Sequence, residues 1–102
     1  MNVKGILTLM GFAQKAGKLA AGDAAVDNFL QKGKVALLIL SEEVSENKKR
    51  DWQLKAELAE TAMVTLNASK LEMGLAVGMS PRGIIGIMDK NMAEAIMKKL
   101  QQ

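Results

Sequence analysis

Apolar residues fall on two different periods along this chain, and the two alternate. Val3, Ile6, Leu7, Met10 and Ala13 recur at three- and four-residue spacing, which predicts an amphipathic helix over roughly residues 2–16, stopped at Gly17. "LAA", residues 19–21, is a very short strand. Helical spacing returns from Asp23 to Lys32, with Val26, Phe29 and Leu30 facing inward and Gly33 as the stop. "KVALLILS" is apolar without alternation, the pattern of a strand covered on both faces and therefore central in a layered sheet. "SENKKRDWQLKAELAE" is a third and more polar helix, and "AMVTLN" the next strand. Ser69 with Glu72 three residues on is a capping box that opens a fourth helix. "PRGIIGIMD" is the last strand. Asn91 with Glu94 repeats the capping spacing before a final helix with Met92, Ile96, Met97 and Leu100 inward.

Helices between successive strands, joined by short connections, predict an α/β fold. The specific expectation is a three-layer α/β/α sandwich with a four-stranded mixed sheet, formed by residues 1–102 as a single domain with one core. Eight methionines against three aromatic residues indicate a core filled by flexible thioethers. No apolar run approaches the roughly 20 residues that span a bilayer. The N-terminal stretch reads better as the amphipathic helix than as a signal sequence. A cytoplasmic protein without membrane contact is the expectation.

The chain has no Cys and no His, which removes disulfides, thiolate chemistry, the usual zinc sites and His-based triads. Carboxylate or lysine chemistry remains. Glu42 and Glu43 follow the central strand, where α/β proteins place sites, but nothing in the sequence supplies the pocket or partner that acid/base catalysis needs. The glycine-bearing stretches "AGKLAAG" and "GMSPRGIIG" match neither a dinucleotide fingerprint nor a phosphate-binding loop. No catalytic residue, metal site or cofactor is expected, and the chain reads as a non-enzyme.

The net charge of +3 is unevenly spread: residues 1–34 hold five lysines against two aspartates, whereas residues 41–60 hold four cations against six acids. The basic third contains "AGKLAAGDAAVDNFLQKGK" (residues 16–34), which allows two readings. In one, Gly22 lets a ligand approach the backbone, the N–H groups of Asp23 to Val26 face a phosphate or base edge, and Lys15, Lys18, Lys32 and Lys34 supply counter-charge. In the other, Gly22 merely starts a helix and Asp23 is a first-turn acid favoured by the helix dipole. Asp23 puts a negative charge where an anion would sit.

The stretches "LMGFAQKAGKLAAGDAAVDNFLQKGKVALLILSEEVSENKKRD" and "VTLNASKLEMGLAVGMSPRGIIGIMD" resemble the ribosomal protein L-seven-Ae / L-thirty-e family of kink-turn RNA binders, and more narrowly its YlxQ-type bacterial branch. The resemblance runs over nearly the whole chain. It implies the same sandwich fold, a structured RNA partner such as ribosomal RNA, and association with the ribosome or translation. It also implies two contact regions. In the first, a helix-opening glycine matches Gly22, with Asp23 next to it. The family's base-reading Asn, Glu and Lys fall on Ala24, Ala25 and Asn28, so the side chains that read base edges are lost. In the second, the loop Val77, Gly78, Met79, Ser80, Pro81 and Arg82 keeps the family's apolar and basic character. RNA binding with weakened base-specific contacts follows. The alternative is a protein-interaction domain on the same fold that has lost RNA binding.

Overall fold

The computed structural model describes all 102 residues, Met1–Gln102. Five helices and four strands alternate: α1 (Val3–Lys15), β1 (Leu19–Ala21), α2 (Asp23–Gln31), β2 (Leu37–Ser41), α3 (Glu46–Leu58), β3 (Ala62–Leu66), α4 (Lys70–Ala76), β4 (Ile84–Ile87) and α5 (Lys90–Leu100). The strands form one mixed sheet in the order β1-β4-β2-β3. β2 and β3 are parallel, while β4 runs antiparallel to both of its neighbours, β1 and β2.

Every residue of β2 and β4 is buried, as their unbroken apolar runs require of inner strands. Their side chains alternate between two layers. Leu37 and Ile39, with Ile85 and Ile87, face α1, α4 and α5, packing with Ile6, Met10, Met73 and Ile96. Leu38, Leu40 and Ile84 face α2 and α3, packing with Val26, Leu30, Trp52 and Ala56. The sheet therefore divides the interior into two clusters, where the length of the chain suggested one core. Met10 and Met73 are fully buried, in keeping with methionine as core filler. No helix is long and apolar enough to cross a membrane.

Three boundaries differ from the sequence expectation, each for a local reason. Lys34 does not begin β2, because its N–H donates back to the Phe29 carbonyl and so belongs to the end of α2. Pro81 and Arg82 stay outside β4; the Arg82 N–H donates to the Lys70 carbonyl at 3.0 Å, fastening the loop to α4 rather than to the sheet. The last helix is capped by Asp89, whose carboxylate accepts from the Met92 N–H at 2.9 Å, two residues before the Asn91 expected from spacing. Its inward face moves accordingly: Ala93 and Ile96 are buried, while Met92, Met97 and Leu100 are only partly covered. The capping box of α4 forms as expected, Ser69 accepting from the Glu72 N–H and the Glu72 carboxylate from the Ser69 N–H, both at 3.0 Å.

Candidate nucleic-acid interface

Strand direction decides which loops meet. β1, β2 and β3 all end, and antiparallel β4 begins, at one edge of the sheet. That edge gathers the β1–α2 junction at Gly22, the β2–α3 and β3–α4 connections, and the α4–β4 loop. Ligands of α/β sheets favour such an edge, beyond the carboxyl ends of strands.

Short polar ties hold the edge together. The Gly22 N–H donates to the Ile84 carbonyl at 3.0 Å, and the Ser41 N–H to Gly83 at 2.9 Å. Ser41, the one fully buried polar side chain, donates its hydroxyl to the Ala68 carbonyl at 2.7 Å and accepts from the Glu43 N–H at 3.1 Å. It thereby joins two of the connections. Glu43 in turn accepts from the Lys70 N–H at 2.8 Å, so this carboxylate caps α4. The Asn67 amide faces Glu42.

Gly22 sits at φ 92°, ψ 159°, a backbone geometry that side-chain-bearing residues rarely adopt, and no side chain caps the helix it opens. The first turn of α2 thus presents its free N–H groups and dipole outward. Replacing Gly22 by Ala is expected to cost about 1–3 kcal/mol of backbone strain. Its Cβ would meet Arg82 only at an ordinary 3.7 Å, so the loss would be conformational and not steric. Chemical denaturation checks this.

Around that helix end lies a cleft of about 220 Å³ lined by Gly22, Asp23, Lys48, Lys70, Pro81 and Arg82, among others. Lys48 belongs to the first turn of α3, positioned by the Ser45 cap, and its ammonium lies 3.2 Å from the Asp23 carboxylate. Lys70 opens α4, and its aliphatic stem passes Gly83, where a Cβ would touch it at 3.4 Å. Arg82 is half-buried and donates to the Ser80 and Pro81 carbonyls at 3.1 and 3.2 Å; no internal acid pairs with it.

Several anticipated positions lie elsewhere. Lys18 precedes β1 and Lys32 follows α2, both at the end of the sheet opposite Gly22; nine helical residues, about 13 Å at 1.5 Å each, separate Lys32 from the cleft. Lys15 and Lys34 share that far end, and Lys32 instead approaches the Phe29 ring at 5.8 Å. Val77 is buried in the first cluster and Met79 is half-buried against it, and exposed Gly78 lies beside Phe12 and Leu75, which leaves Ser80, Pro81 and Arg82 as the loop's outer surface at this edge. Ala24 and Asn28 are exposed on α2, but Ala25 is half-buried and packs on the second cluster.

Lys48 was missed because its segment, residues 41–60, carries six acids against four cations, and Lys70 because no neighbouring residue marks it. The available signal was topological: every helix that follows a strand at this edge starts there, so its first-turn cations converge. Gly74 was missed likewise. A Cβ there would come within 2.3 Å of the Ser80 carbonyl oxygen, so only glycine lets the loop fold back over α4.

No family model and no curated protein matches the sequence. Among solved structures, a Bacillus halodurans protein of unknown function is similar at TM-score 0.87 and 25% identity, over 95% of this chain and 97% of that one. A Giardia lamblia 15.5kD RNA binding protein is similar at TM-score 0.79 and 16% identity, over 99% of this chain and 87% of that one. The chain therefore shares its fold with a protein named for RNA binding.

Proposed function

We propose that this chain is a non-enzymatic RNA-binding module of the L-seven-Ae / L-thirty-e type, close to its YlxQ-type branch, and that it takes structured, kink-turn-like RNA at the Gly22 edge. A cytoplasmic role at the ribosome or in translation belongs to the same proposal. The carrying observation is the convergence, in one cleft, of a glycine-opened helix end free of side-chain caps with Lys48, Lys70 and Arg82. Open N–H groups and cations together suit phosphate, and the loop's outer surface can lie along a displaced strand. The fold shared with the Giardia protein supports this reading. With alanines at positions 24 and 25, backbone and phosphate contacts outweigh base readout, so micromolar binding to a kink-turn is expected, only modestly better than to a plain duplex.

The test is a salt titration. Changing Lys70 or Arg82 to Gln should weaken all RNAs alike and reduce the salt slope by about 0.7–0.9 each. Lys18→Gln and Lys32→Gln, at the far end, should change little. Binding that ignores salt, or that responds only to Lys18 and Lys32, would remove the cleft from the interface.

A second reading has its own observation. Phe12 and Leu75 are more than half exposed on α1 and α4, along a shallow groove that also includes Gly11 and Ala76. Such apolar surface suits a protein partner. Failure of RNA binding together with capture of a defined partner on this groove would favour it.

A further inference from the structure

The acid beside the helix end is paired with one of the cleft's own cations. Asp23 is the first residue of α2, yet its carboxylate does not cap the helix; it reaches across to Lys48 on α3 at 3.2 Å. Both side chains are more than 60% exposed, so the pair is held weakly and exchanges readily with solution ions. Both also line the cleft that holds Lys70 and Arg82. Among the charged residues lining it, Asp23 is the only anion. A carboxylate on Lys48 stands where a phosphate oxygen would stand, with the same charge-assisted N–H···O chemistry.

Building on the RNA reading of this edge, we infer that Asp23 is an affinity- and selectivity-setting residue. In the free protein it occupies Lys48, and an RNA phosphate must displace it before that lysine can contribute. The phosphate then meets the open N–H groups of α2 and the ammonium together, while the released carboxylate turns to solvent. Asp23 therefore discourages contacts that offer phosphate charge alone. Folded RNAs that also lie along the loop at Ser80 and Pro81, beyond the phosphate contacts any RNA makes at Lys70 and Arg82, compensate for the exchange; an unstructured strand or a plain duplex does not.

The test is a cycle of four proteins, wild type, Asp23→Asn, Lys48→Gln and the double variant, each titrated with a kink-turn RNA and a plain duplex at about 50 mM salt, where phosphate contacts count most. Asp23→Asn should bind about 3- to 10-fold tighter, with the larger gain on the duplex, as Lys48 is freed for phosphate. In the Lys48→Gln background the same change should gain little. Asp23→Ser serves as a second uncharged variant, and matching unfolding temperatures exclude a folding effect. Unchanged or weaker binding by Asp23→Asn, with the wild type still binding, would overturn the inference and leave the RNA reading intact. An equal gain in both backgrounds would also overturn it, showing general repulsion without exchange on Lys48. If none of the four proteins binds either RNA, the RNA reading itself fails and the inference with it.

Discussion

Ala24→Asn, Ala25→Glu and Asn28→Lys together are expected to raise affinity for a kink-turn about a hundredfold or more. Each good base-edge pair discriminates by about 1–3 kcal/mol, and about 1.4 kcal/mol is a factor of ten. The frame these side chains need is present: Gly22 sets the start of α2, and Ala24 and Asn28 are exposed one turn apart on its surface. Ala25 is the harder position. It is half-buried against the second cluster, so a glutamate there must bend its stem outward, and about 1 kcal/mol of stability should be lost. Calorimetry with a kink-turn and its G·A-disrupted counterpart measures the gain. It should be confined to the intact kink-turn. Nanomolar, G·A-dependent binding by the wild type would show that backbone and loop suffice without those side chains. No gain by the triple variant would turn the argument toward the exposed apolar groove and a protein partner.

Gly74→Ala is expected to destabilise the fold by about 3 kcal/mol, although alanine ordinarily favours a helix interior by about 1 kcal/mol. The sign reverses because the new Cβ would lie 2.3 Å from the Ser80 carbonyl oxygen and 2.9 Å from the Pro81 Cα, both backbone-borne atoms that cannot rotate aside. Either the loop lifts or α4 shifts, and α4 carries fully buried Met73. Gly5→Ala is the control. Its Cβ would meet only the Asn2 side chain, which can move; losing that side chain's cap on the Gly5 N–H, about 1 kcal/mol, offsets the roughly 1 kcal/mol that alanine gains in a helix, so the change should be near neutral. Urea denaturation of the two variants distinguishes them. RNA binding by Gly74→Ala should fall as well, because the same loop carries Arg82 to the cleft. A Gly74→Ala protein as stable as wild type would contradict the close packing of loop on helix.

The faces of the elements were legible in the sequence except in α5, whose Asp89 cap turns Ala93 and Ile96 inward, and several ends were not. The spacing of Ile6, Met10 and Ala13, of Val26 and Leu30, and the unbroken run Leu37–Leu40 identified what would be buried, because periodicity follows directly from helix and strand geometry. Which end of the sheet a loop occupies depends on strand direction, which no local pattern encodes. That is why Lys18 and Lys32, near Gly22 in sequence, lie at the opposite end, while Lys48 and Lys70, distant in sequence, line its cleft. Charge counting misled for a related reason. The acids around Lys48 include Glu43, whose carboxylate is occupied with the Lys70 N–H. Val77 and Met79 illustrate another limit: apolar residues in a loop suggested a contact surface, and the structure turns them toward the first cluster.

The central claim is that RNA docks at the Gly22 edge, and amide-resolved NMR titration with a kink-turn RNA tests it most directly. The largest shifts should fall on the N–H groups of Asp23, Ala24 and Ala25, on Ser80 and Arg82 of the loop, and on the first turns of α3 and α4 around Lys48 and Lys70. Lys18, Lys32 and Lys34 should hardly move. Shifts confined to those three lysines, or to the α1–α4 groove around Phe12 and Leu75, would contradict the account.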